Sequence, residues 1–144
     1  LDANFKADGT DYDHGNFHWT DTNVPAGQIE WLKKDLALSS GPVICFIHQP
    51  LDGQGRLFVK NADAVRSVLS DSNRVAAVFQ GHNHEGNYSF INEIHYYTLK
   101  AMVDGSGEEN KSYAVVDVFN DNSLLVTGFR RAESKTMILP KSDK

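Results

Sequence analysis

The sequence predicts an α/β chain: a β–α–β unit followed by an antiparallel meander. Three observations predict it. Two short apolar runs, Val43-Ile44-Cys45-Phe46-Ile47 and Val75-Ala76-Ala77-Val78-Phe79, have the length and β-branched content of buried strands, and each is followed within three residues by Pro50 or Gly81. The stretch between them, 61–70, carries Ala64, Val65, Val68 and Leu69 on one helical face. Beyond Gly86 the pattern changes to short apolar segments broken by turn residues, as in consecutive hairpin-linked strands.

In chain order, residues 4–23 are rich in Asp, Gly, Thr and Asn and read as a surface loop. It contains His14 and His18, either of which could touch a substrate or a metal. A helix is expected over 26–38: Pro25 suits its start, where a missing N–H costs nothing, and Ile29, Leu32 and Leu36 form its apolar stripe. Trp31 is expected to pack, and Ser39-Ser40-Gly41-Pro42 ends the helix. After the first strand, the glycine-bearing loop 51–56 places Asp52 and Arg56 where they could reach a substrate, although a solvated turn explains them as well. Lys60 and Arg66 read as helix-surface charges. Strands are expected at 88–91, 94–99, 112–120 and 123–130. Tyr96 and Tyr97 must face opposite sides of their strand, one expected in the core and the other exposed. Residues 132–144 are polar and expected to fray, which leaves 1–131 as the folded part.

Composition bounds the function. A chain of 144 residues with 40% hydrophobic and 23% charged residues is one domain or a piece of one. Its net charge of −5 provides no basic field for a nucleic-acid polymer. Cys45 is the single cysteine, so no internal disulfide forms, and its place in an apolar strand makes it a core residue. No apolar run has the length of a membrane span. The chain begins with Leu, so an upstream segment can be missing, and its compartment stays open.

The chemistry lies in the histidines. His48 ends the first strand, and His82 and His84 follow the second across Gly81. Strands joined by a helix run parallel, so both histidine-bearing ends face one way, at the carboxyl edge where open α/β sheets bind ligands. If 82–84 stays extended, His82 and His84 point to one side, with Gly81 letting the backbone bend away from the sheet. Neutral imidazole is a good ligand for divalent zinc, manganese and iron.

His48-Gln49-Pro50 followed by Gly81-His82-Asn83-His84 resembles the last two motifs of the calcineurin-like metallophosphoesterase superfamily, whose members carry D-x-H, G-D, G-N-H-[DE], a lone histidine and G-H-x-H in that order. The stretch 28–36 resembles the family's helix before the lone histidine, and Leu1-Asp2 the strand end before that helix. The resemblance implies the C-terminal half of a four-layer α/β/β/α sandwich and a metal-dependent phosphoesterase acting on a small phosphate ester or nucleotide-type substrate. It implies two divalent cations (Mn, Fe or Zn), with His48 and His82 on one, His84 on the other, and a hydroxide between them as nucleophile.

The chain departs from that pattern upstream. It contains no D-x-H and no Gly-Asp dipeptide, and in Gly15-Asn16-Phe17-His18 an inserted Phe17 breaks the match to G-N-H. The bridging aspartate and the general-acid histidine are expected before Leu1, on an absent N-terminal half. The chain alone is then expected to bind metal weakly, to turn nothing over, and to expose apolar sheet that the other half would cover. Two readings from other classes remain open: a non-catalytic interaction scaffold of the same fold, and a mononuclear structural metal site completed by Glu85, Asp52 or His14.

Overall fold

The computed structural model describes residues 1–12 and 20–138. Helix α1 spans Ala26–Leu38, with Pro25 at its N-cap, as the sequence predicts. Strand β1 (Val43–Phe46), helix α2 (Ala62–Asp71) and strand β2 (Val75–Gln80) form the expected parallel unit. Leu32 and Leu36 of α1 and Val65 and Leu69 of α2 are buried on one face of the sheet with Cys45, Ile47, Val78 and Tyr96. Ala64 is exposed, and Ala62 takes the buried position at the first turn. Trp31 is 54% exposed rather than packed, because it sits roughly 100° round the helix from Leu32, off the buried stripe.

Side chains tie the two helix starts together. The amide of Asn61 accepts from the Val24 N–H at 3.0 Å and donates to the Val24 carbonyl at 2.7 Å. Gln28 does the same for the start of the chain: its amide donates to the Asp2 carbonyl at 2.9 Å and accepts from the Asp2 N–H at 2.7 Å. The Leu1 nitrogen donates to the Phe46 carbonyl, so residues 1 and 2 are held beside β1 without forming a strand.

The meander expected after Gly86 splits between two sheets. Strands β3 (Asn87–Ile91) and β4 (Ile94–Thr98) form an antiparallel hairpin, and β4 inserts parallel to β2, giving the order β1-β2-β4-β3. Strands β5 (Tyr113–Val118), β6 (Ser123–Phe129) and β7 (Lys135–Ile138) form a second, antiparallel sheet. Strand β7 lies where the sequence suggested a fraying tail. Met137 is fully buried there, opposite Leu124, so one apolar side chain anchors an otherwise polar segment. The last residues of that tail, 139–144, lie outside the described part.

The two sheets face each other across a second core of Ala76, Ala77, Tyr97, Leu124, Val126 and Met137. Both tyrosines of β4 are therefore buried, Tyr96 against the helices and Tyr97 against the second sheet, with the Tyr97 hydroxyl donating to the Glu133 carbonyl at 2.6 Å. One exposed tyrosine would have required a wet face at β4; this strand is covered on both.

His95 joins the sheets at their far side. Its Nε2 lies 3.1 Å from the Ile138 carbonyl, which can only accept, so Nε2 carries the proton and Nδ1 accepts from the Tyr88 hydroxyl at 2.8 Å. Burial pushes the His95 pKa below the ordinary imidazole value; the bond to Ile138 opposes the fall and Lys135, stacked over the Tyr88 ring, adds to it. The unfolded chain thus takes up this proton first, near pH ~6.5. The stabilising contribution is complete above that pH and is lost as pH falls through it toward the lower folded value. Denaturant midpoints should fall between about pH 7.5 and about pH 5.5, and the fall should be smaller in His95→Gln. Met137→Ala should cost about 2–5 kcal/mol in the same experiment, whereas a fraying segment would lose almost nothing.

Candidate functional site

The carboxyl ends of the parallel strands carry the candidate site. The backbone ladder continues past them: Ile47 N–H donates to the Phe79 carbonyl at 3.1 Å, and Gly81 N–H to the His48 carbonyl at 2.9 Å. On the other side of β2, Leu99 N–H donates to Gln80 at 3.0 Å and Ala101 N–H to His84 at 3.1 Å. These bonds place His48, His82 and His84 along one cavity of about 790 Å³, whose remaining wall is largely apolar and includes Phe46, Phe79, Leu99 and Val116.

The local geometry of the histidine pair differs from the extended segment that the sequence suggested. Strand β2 ends at Gln80, and His82 has φ +61°, in the left-handed region. The bend falls on His82, not on Gly81. At Gly81 a Cβ would lie in ordinary van der Waals contact with His48, 3.4 Å from its Nδ1. A left-handed histidine is uncommon, and such conformations concentrate at functional sites. The His48 and His82 rings meet edge to face at 5.2 Å between centroids. Burial, and then repulsion from His48 and His84, hold the His82 pKa below its usual value, which favours the neutral imidazole that binds a metal.

His84 is 54% exposed, and its Nδ1 lies 2.8 Å from Oδ1 of Asp104. Sequence reasoning missed Asp104, which no motif marks and which lies 20 positions from its partner. It missed Gln80 as well. Behind the histidines, Gln80 accepts from Leu51 N–H at 2.8 Å and donates to Asp52 at 2.7 Å and to Thr98 at 3.0 Å, fixing the loop after His48. A glutamine at the buried end of an apolar strand was its available signal.

Asp52 is taken up by this framework. Its carboxylate also accepts from Asn87 at 2.9 Å and Ser89 at 2.8 Å, and neither it nor Arg56 lines the cavity. Arg66 donates to the Leu51 carbonyl and pairs with Asp63, so it braces the same loop besides carrying surface charge. His14 and His18 lie outside the described residues. Among the described residues, no three His, Cys, Asp or Glu side chains stand close enough to hold one ion. A mononuclear structural site completed by Glu85 or Asp52 therefore finds no support in these residues. The donor set fits divalent metal only in part: three imidazoles line one cavity, but among the described residues they do not gather with a carboxylate around one point.

The two-sheet α/β arrangement is the fold of a dimetal phosphatase. A crystal structure of such a protein from Danio rerio matches it with a TM-score of 0.75 and 23% identity, over 83% of this chain and 40% of that one. A curated protein from Oryza sativa subsp. japonica, named manganese-dependent ADP-ribose/CDP-alcohol diphosphatase, is 27% identical over 120 residues, which are 78% of this chain and 37% of that protein. No protein-family model matches the sequence. Together the two relatives support a relationship to the calcineurin-like metallophosphoesterase superfamily. The chain spans well under half the length of both.

The turn after His84 depends on Gly86, at φ +72°, where a Cβ would meet Lys100 Cγ at 2.7 Å and the Thr98 carbonyl at 3.1 Å. Gly86→Ala should cost about 1–2 kcal/mol or more in denaturant unfolding, because left-handed backbone is disfavoured for alanine and the carbonyl cannot yield.

Proposed function

We propose that this chain supplies the histidine-bearing part of a metal-dependent phosphoesterase that hydrolyses a small phosphate ester, with a nucleoside-diphosphate conjugate as the preferred substrate. The observation that carries the reading is that three histidines, from the ends of two adjacent parallel strands, line one cavity. A curated relative that is a diphosphatase by name supports the substrate class.

His48 and His82 would hold one divalent cation and His84 a second. Two such cations, when bound, supply charge stabilisation for an in-line phosphoryl displacement and acidify an attacking water. This chain's residues prepare for that. The ladder fixes the histidine spacing, Gln80 and Asp52 hold the loop after His48, and the apolar wall limits water. Three neutral imidazoles contribute no negative charge, so carboxylates from outside the described residues are needed to balance two dications. The described residues by themselves are accordingly read as catalytically incomplete.

The test compares the purified chain with the longest reading frame that contains it, assayed with Mn²⁺ on ADP-ribose and on a chromogenic phosphate monoester. The longer protein should hydrolyse ADP-ribose faster, lose activity to a chelator and recover it with Mn²⁺, while the chain alone stays at background. His82→Ala in the longer protein should reduce turnover by about 100-fold or more, beyond what loss of a supporting residue costs. Undiminished turnover in His82→Ala would remove the assignment.

A further inference from the structure

We propose that Asp104 is the positioning residue for His84, setting which ring nitrogen is offered to the cavity. The inference rests on the reading of His84 as a metal ligand and concerns a residue on a different element. His84 is anchored twice. Its carbonyl accepts from Ala101 N–H at 3.1 Å, and its Nδ1 lies 2.8 Å from the Asp104 carboxylate, three residues further along the same loop. The loop is itself held, since Arg131 Nη1 donates to the Asp104 carbonyl at 3.4 Å and Arg130 pairs with Glu108 beyond it. A carboxylate is acceptor-only when ionised, so a neutral His84 ring must carry its proton on Nδ1. That leaves the lone pair on Nε2, the nitrogen a cation would take.

Such a carboxylate–histidine contact fixes both the tautomer and the ring orientation, and it raises the basicity of the ligating nitrogen. The His48 and His82 rings meet each other edge to face, at 5.2 Å between centroids. Asp104 thus acts on the ring that would hold the second cation.

The test uses this chain, labelled with ¹⁵N in its histidine rings, at about pH 8, above the ordinary imidazole range. The wild-type His84 ring should show the Nδ1–H tautomer before any metal is added. In Asp104→Ala it should move toward Nε2–H, the form a free imidazole prefers, with the His48 and His82 ring signals unchanged. Asp104→Asn, whose amide oxygen still accepts, should keep Nδ1–H and guards against a variant that fails to fold. Mn²⁺ added to the chain should broaden the His84 signals at roughly 10–100-fold higher concentration in Asp104→Ala than in wild type. A wild-type ring in the Nε2–H form, or a tautomer indifferent to Asp104→Ala, overturns the proposal. Broadening of no histidine in the wild type, with the tautomer as stated, counts against the metal reading and leaves the positioning role in place.

Discussion

The structure depends on a parallel backbone ladder that does not stop where its strands stop. The N–H of Gly81 reaching the His48 carbonyl, and the N–H of Ala101 reaching that of His84, convert three separate loop positions into one framed edge. Backbone bonds of this kind hold position without demanding particular side chains, so the histidines are free to serve chemistry. The same ladder brings the loop that carries Asp104 beside His84.

That ladder is kept rigid from both faces. Two helices pack on one side of the first sheet and a three-stranded sheet on the other, each with its own core. Strand β2 lies between β1 and β4 and is buried at five of its six positions, so its end cannot drift. Across the inter-sheet face, Phe46, Phe79 and Tyr97 stand in register on β1, β2 and β4, with ring centroids 5.6 and 5.9 Å apart. The row is not covered at its β1 end, where Phe46 is 64% exposed, and Val118 on β5 is 65% exposed.

The site is built on a conflict that this framework resolves. Three imidazoles along one cavity repel when charged, and partial burial of His82 penalises the charged form further, so that ring is held toward neutrality. Its left-handed backbone is a second cost, accepted where the chain leaves the sheet and turns back toward β3. Gln80, Asp52 and Thr98 hold the underside of this turn with hydrogen bonds that reach 28 residues back along the chain and 18 forward. Polar groups are thus buried beneath the site, and each bond counters the desolvation that burial imposes.

Local periodicity by itself determined the helices, the strand positions as far as β6 and the placing of His48, His82 and His84 at one edge, because side-chain spacing encodes which face an element buries and a helical crossover makes its strands parallel. Tertiary structure decided what spacing cannot encode: which strand lies beside which. Ile94–Thr98 is buried at every position, a signature of a central strand, yet only packing on both faces inserts β4 between β2 and β3 and sends β5, β6 and β7 to a second sheet. The left-handed turn at His82, the buried Tyr97, the strand around Met137 and the contact of Asp104 with His84 all follow from that arrangement. Each depends on residues far apart in the chain, whose meeting is fixed by the burial of whole faces and not by any local pattern.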